Sequence, residues 1–386
     1  MSDKRSNRIP YLDVARALAI VSITTNHAYN RSFAVFSATQ AEYQAFPVVF
    51  SLLKAMLHSF SRLGVPLFLM ITGALLLPRD YSKKYSRFLK HNWLRLFITT
   101  EIWLCIMFWY LQLSPSSVLM TRGLRHCLVR FLMTLLFLNP VTMDSMWYMK
   151  MILCVYLMIP LFSAALRTLP RRVFLLPIIF ILIHSYLVPD VSAFLSGVGI
   201  QSGLSFDLSA GNLFSMHAIF LLIGYWIGEG RLKSISTPVL TAGFLTFFCL
   251  LSGLQLWLFS TPSDVVVAQG YHSILLFAAS VCLFELLRRR EYTKKKLQSV
   301  CSYLAEISFG IYFVHICIME GLCRIIGQHF SGIRRFGKFF VLELVSFFGA
   351  VLIIQLLRKN RWIGYWLFGI RKETTEKNSI AQHELP

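Results

Sequence analysis

The chain is 386 residues long, 56% hydrophobic and 15% charged, with a formal net charge of +20. Soluble domains carry about 25% charged residues to hold water at their surface, so this composition excludes a soluble fold and fits lipid as the solvent. The basic residues fall in short clusters between apolar runs, not on one solvated face, which excludes a nucleic-acid binder and suits an anionic membrane leaflet.

Apolar runs at 11–30, 60–77, 93–112, 148–166, 173–188, 213–228, 238–259, 271–288, 302–323 and 338–357 predict transmembrane helices. Several have the ~20 residues that cross a ~30 Å hydrocarbon core at 1.5 Å per residue. The first run carries Asp13 and Arg16 and lacks a small-residue cleavage site, so it reads as a retained helix and not a signal peptide. Segment 114–146 contains an apolar stretch from Cys127 to Leu138 behind Arg122, Arg125 and Arg130. It predicts an interfacial or re-entrant helix, with an eleventh span as the alternative.

With the N-terminus inside, segments 1–10, 78–95, 167–172, 229–237, 288–300 and 358–386 hold 26 of the 38 Lys and Arg residues. That asymmetry predicts an even number of spans and both termini in the cytoplasm. The expected fold class is all-α: a polytopic membrane helical bundle of about ten transmembrane helices. One transmembrane domain is expected over residues 1–366 and a short cytoplasmic tail over 367–386. The eight cysteines show no CxxC spacing and sit mostly within apolar runs, so buried thiols are expected, with no disulfide framework and no metal.

Charges at bilayer depth need a reason, and the first helix is the densest case. Arg16 and His27 are eleven positions apart, three turns plus about 20°, so they share a face and are separated by roughly 16 Å along the axis. Asp13, Ile20 and Thr24 fall on the same stripe. Such a stripe must face other helices or a watered cavity; an Asp13–Arg16 ion pair at i, i+3 is the structural alternative. His315 and His217 fit hydrogen-bonded helix contacts. There is no phosphate loop, no HExxH and no GxSxG elbow, so any chemistry rests on histidine acid/base work within the membrane.

With these residues in view, the chain resembles the membrane acyltransferase-3 family, whose members transfer acyl groups to extracytoplasmic glycans and related acceptors. Arg16 and His27, preceded by Leu12-Asp13, match its hallmark of a basic residue, ten residues and a histidine. Residues Val65 to Leu77 are similar to its "PxFFxISGxLL" stretch, with Thr72 in place of Ser. Phe88 to Arg95 resembles its RxxxR segment, with His91 at the first arginine position. Met146-Trp147-Tyr148 is similar to its "LWYL", with Ser145 where a His often precedes it, and Ser308 to His315 is similar to "SYxIYLxH".

The resemblance implies acyl-CoA, most often acetyl-CoA, as donor and a sugar hydroxyl as acceptor: O-antigen, another surface polysaccharide or a lipid-linked glycan. It implies a stand-alone O-acetyltransferase in the bacterial inner membrane, among membrane lipid and without nucleic acid. Arg16 and Arg95 would hold the CoA phosphates, since guanidinium pairs with phosphate bidentately. His27 would act as general base or briefly carry the acyl group. Thr72 and Trp147 would line the passage, Asp13 would support it, and His315 would orient the base or bind substrate. Read without the resemblance, the same buried groups also fit a proton-coupled secondary transporter or flippase.

Overall fold

The computed structural model describes residues 8–33, 46–115, 117–138, 144–198, 217–260, 270–327 and 330–370. Among them the secondary structure is helical, with no strand. Helix α1 (Pro10–Phe33) begins on a proline, whose missing N–H costs nothing in a first turn. Helices α2 (Val48–Ser61) and α3 (Gly64–Leu76) follow across a break at Arg62 and Leu63. Then come α4 (Tyr85–Gln112), α5 (Val118–Leu135), α6 (Trp147–Thr168) and α7 (Arg172–Leu195). The chain continues through α8 (Ala218–Gly228), α9 (Thr237–Ser260), α10 (Ile274–Arg289), α11 (Lys295–Ile326), α12 (Arg334–Leu357) and the short α13 (Arg361–Trp366).

The hub is α1. It packs against α2, α3, α10, α11 and α12, and its polar residues Ser22, Thr24, Thr25, Asn26 and His27 are all buried. Away from its contact with α1, α12 exposes Phe340, Leu344, Phe348 and Leu352, and α7 exposes Leu176 and Ile179. Such an outward apolar surface suits acyl chains, not water.

Small residues allow the close crossings. A Cβ at Gly73 would strike the Leu221 backbone, and one at Gly224 would strike the Met70 backbone, so α3 and α8 meet through a reciprocal pair of glycines. At the α3 N-terminus, a Cβ on Gly64 would come within 2.7 Å of the Ala19 carbonyl on α1. Helix α3, placed by these crossings, contributes Val65, Phe68 and Thr72 to the walls of the interior described below.

Among the described residues, seven helical segments are long and apolar enough to span a bilayer by length and composition. The shortfall from ten has physical causes: α1 is rich in polar residues, α8 has only 11 residues and α10 has 16. Helix α2 was not expected, because Lys54 and His58 interrupt its apolar pattern. The fold accommodates Lys54 between the rings of Phe46 and Phe259, with its Nζ 4.9 and 4.7 Å from their centroids.

Helix α5 falls in the ambiguous 114–146 segment. It packs against α4, Phe131 lying 5.1 Å from Phe108 and 5.6 Å from Trp109, and bends at Gly123 (φ +79°). It does not qualify as a span. Beyond Trp366 the chain stays with the bundle: Phe368 is buried and the Gly369 carbonyl is tied to α4, so the described part of the expected tail belongs to the core. All eight cysteines are free, and Cys154 and Cys249 are exposed, not buried.

Adding side-chain volume where backbones touch costs about 1–3 kcal/mol or more. Gly73→Val and Gly224→Val should therefore each lower the melting temperature of the detergent-purified protein. Gly253→Val, which meets open space, should leave it nearly unchanged. Thermal unfolding read by size-exclusion chromatography distinguishes them.

Candidate active site

Among the described residues, two cavities lined by charged, polar and apolar side chains lie along α1. The first, about 500 Å³, is lined by Arg16 of α1, Thr72 of α3, His91 and Arg95 of α4, Tyr156 of α6 and Glu306 of α11, among others. The second, about 620 Å³, is lined by His27, Asn30 and Arg31 of α1, Arg62 at the α2–α3 break, Trp147 of α6 and Tyr271 before α10. Arg16 and His27 thus open into different chambers, on the one helix the bundle surrounds.

In the Arg16 chamber, no carboxylate pairs with Arg16 at ion-pair distance among the described residues; Asp13 and Tyr156 act on it through space. Asp13 feels Arg8, Arg16 and the Ser302 hydroxyl and does not itself line the chamber. Arg95 is partly engaged by the fold: its Nη2 donates to the Gly369 carbonyl at 2.7 Å, and its guanidinium lies 4.8 Å from the Tyr365 ring centroid. Thr72 donates back along α3 to the Phe68 carbonyl at 2.8 Å. The acid in the wall, Glu306, is neutralised from outside by Arg8 at 3.3 Å and Arg358 at 3.4 Å. What remains facing the chamber is predominantly cationic, a fit for a polyanionic ligand.

The basic segments gather at this end of the bundle. Arg167 pairs with Asp80 at 2.8 Å, Arg289 donates to the Ile235 carbonyl at 2.6 Å, and Arg8 and Arg358 meet on Glu306. Asp80 lies in the turn after α3, and hydrogen bonds from Ser82 and then Arg167 hold its carboxyl down at about 2.

In the His27 chamber, His27 is 9% exposed and its ring centroid lies 5.3 Å from that of His315. His315 is fully buried and does not line either chamber. Its Nδ1 sits 2.6 Å from the Ile311 carbonyl, which can only accept, so Nδ1 carries the proton. Its Nε2 has no hydrogen-bond partner among the described residues. The pair is a ring contact, with His315 standing behind the cavity-facing imidazole.

Around them runs an ordered polar frame. Asn30 donates to Asn26 Oδ1 at 2.8 Å, and Asn26 donates to the Tyr271 hydroxyl at 3.2 Å. The Arg62 guanidinium lies 5.2 Å from the Tyr271 ring centroid. Tyr271 is placed by the start of α10, where Asp190 accepts from the Ser273 hydroxyl and the Ile274 N–H, both at 2.9 Å. Trp147 packs on Tyr271 at 5.3 Å and on His217 at 5.8 Å. On the back of α1, Thr24 and Thr25 donate to Glu343 Oε1 at 2.7 and 3.3 Å, fixing the rotation of the helix against α12.

The structure therefore brings Arg16, Thr72 and Arg95 to one chamber and His27 and Trp147 to the other, and leaves Asp13 and His315 outside both. Sequence reading passed over Arg62, Tyr271 and Asn30. Arg62 carried a signal, being a charge inside an apolar run. Tyr271 carried none, since only the fold brings it to α1.

A multi-pass helical protein with a divided polar interior is the class that fold and site define. The comparisons carry this further: the model of the acyltransferase domain matches residues 9–359, so the chain belongs to the acyltransferase-3 family and is an acyltransferase. Comparisons with curated proteins and with solved structures found no match. No observation favours the carrier alternative.

Because Asp13 stands outside both chambers, Asp13→Asn should change the KM for donor by less than about threefold. Its main effect should be on thermal stability of the purified protein. A tenfold or larger rise in KM with unchanged stability would place Asp13 in the ligand site after all.

Proposed function

We propose that the protein is a membrane O-acyltransferase of the bacterial inner membrane that moves an acyl group, acetyl in this reading, from cytoplasmic acyl-CoA to a hydroxyl of a surface glycan such as O-antigen. The observation that carries the reading is the division of labour along α1: a guanidinium opens into one chamber and an imidazole into the other, about 16 Å apart along the axis. A donor that is anionic at one end and reactive at the other matches that polarity.

In this reading the bundle has ten spans. α1, α8 and α10 join the seven long segments, both termini are cytoplasmic, and the end holding the basic clusters faces the anionic inner leaflet. Arg16 is the cation with the least competition from its own fold, and we assign it the donor phosphates, with Arg95 beside it. Arg79 and Asn92 line the same chamber and add donors.

The chemistry belongs to the His27 chamber. His27 takes the proton of the acceptor hydroxyl as its oxygen bonds to the acyl carbon; the C–S bond of the thioester breaks and the proton passes to the departing sulfur. An imidazole suits this near neutral pH. Negative charge builds on the acyl oxygen in the transition state, and Arg31 and Arg62 are the cations lining that chamber. An acyl group carried briefly on His27 uses the same residues, and rapid-quench labelling of the protein separates the two routes.

Loss of a general base costs about 10²–10⁴ in rate. His27→Ala should therefore abolish labelling of glycan from labelled acetyl-CoA in membranes that hold the variant at normal levels; retained labelling removes His27 from the reaction. Charge-assisted hydrogen bonds are worth about 1.5–3 kcal/mol, so Arg16→Ala should raise the KM for donor by roughly tenfold or more with a smaller effect on kcat. Substrate uptake without covalent transfer would overturn the enzyme reading.

A further inference from the structure

Among the described residues the two chambers share Tyr148 and Tyr312 and no other lining side chain. The change from one chamber to the other is abrupt on the neighbouring helices. On α3 Val65 faces the His27 chamber and Phe68 the Arg16 chamber; on α6 Trp147 and Met149 divide in the same way; on α11 Phe309 faces only the Arg16 chamber. Three residues of helix rise about 4.5 Å. The partition is therefore about one aromatic layer thick, with ring centroids of Tyr148 and Tyr312 5.8 Å apart.

The two rings are held unequally. Tyr312 is buried, its hydroxyl donates to the Ser145 carbonyl, and its ring abuts Phe313 edge-on at 5.0 Å. Tyr148 is only partly buried, and its hydroxyl has no hydrogen-bond partner among the described residues. It is edged loosely by Trp147 at 6.1 Å and Phe68 at 6.5 Å. One leaf of the partition is anchored through its hydroxyl; the other is held by ring contacts alone.

Resting on the acyl-transfer reading above, we propose that Tyr148 and Tyr312 form the specificity-determining constriction for the donor, with Tyr148 as its moving leaf. A donor gripped by its phosphates beside Arg16 can reach His27 only with its acyl end leading. The constriction therefore screens the cross-section of that end. It passes a slender, unbranched acyl thioester, rejects a branched or aromatic one, and holds the nucleotide back on the Arg16 side. With no donor threaded, the same two rings close the interior against ion flow.

The test compares the kcat/KM for acetyl-CoA and benzoyl-CoA in purified, reconstituted protein, with proton leak through the same proteoliposomes read by an internal pH dye. Tyr148→Ala should shift the benzoyl-to-acetyl ratio upward by at least tenfold and raise the leak. Tyr148→Phe, which keeps the ring and loses only an unpartnered hydroxyl, should match wild type in both. If the alanine variant is lost from the membrane, Tyr148→Leu carries the same expectation. An unchanged ratio in a transferring variant overturns the constriction. Equal shifts in the Phe and Ala variants would overturn it too, by assigning the effect to the hydroxyl. Absence of any transfer by wild-type protein would instead sink the acyltransferase reading itself.

Discussion

A guanidinium and an imidazole on a membrane helix cannot both face hydrocarbon, since a charged side chain at the bilayer centre costs about 2.5–3.5 kcal/mol even on insertion scales. The fold follows from that constraint. Five helices pack on α1, and each contributes either a close apolar contact or a polar partner. Glu343 takes the hydroxyls of Thr24 and Thr25, Arg31 meets Glu320 at 3.6 Å, and Ser22 donates to the Phe60 carbonyl at 2.8 Å. These contacts fix α1 in rotation as well as in position. Rotation matters most, because a turn of one residue would move His27 away from its chamber.

Helices this polar need neighbours close enough to exclude lipid yet shaped to leave room for substrate. Glycines supply the first requirement at Gly64, Gly73 and Gly224, where backbone meets backbone. Aromatic side chains supply the second. Around the chambers the walls are rings, with Tyr148, Tyr271, Tyr312 and Trp147 meeting at centroid distances between 5.3 and 6.1 Å. A large flat side chain keeps its own cavity open because it cannot collapse into it, and it presents a polar tip when the neighbour is wet.

Much of this was legible in the sequence, for a specific reason. The spacing of Arg16 and His27 is a property of one helix, and a 3.6-residue period needs no tertiary information. Thr72, Arg95 and Trp147 were singled out differently, through motifs that resemble those of the family. What escaped were partnerships across the chain: Tyr271 reaches Asn26 from 245 positions away, and Glu306 gathers Arg8 and Arg358 from opposite ends. Helix α2 escaped because Lys54 looks like the end of an apolar run until Phe46 and Phe259 are seen on either side of it. The Asp13–Arg16 pair was offered by spacing alone; in the fold the two stay within electrostatic reach without closing to ion-pair distance, and Asp13 has Arg8 and Ser302 near it as well.

That arrangement bears on function. With Asp13 outside the chamber lining and Glu306 neutralised by two arginines, the wall of the first chamber keeps a positive balance. The second chamber shows the same economy: among the described residues its lining includes Arg31 and Arg62 and no carboxylate. An imidazole there is not oriented by an acid, as in a serine-hydrolase triad. Its neighbours are a second imidazole behind it and cations beside it, an arrangement that favours negative charge on a reacting oxygen. Acyl transfer to a hydroxyl develops that charge in its transition state.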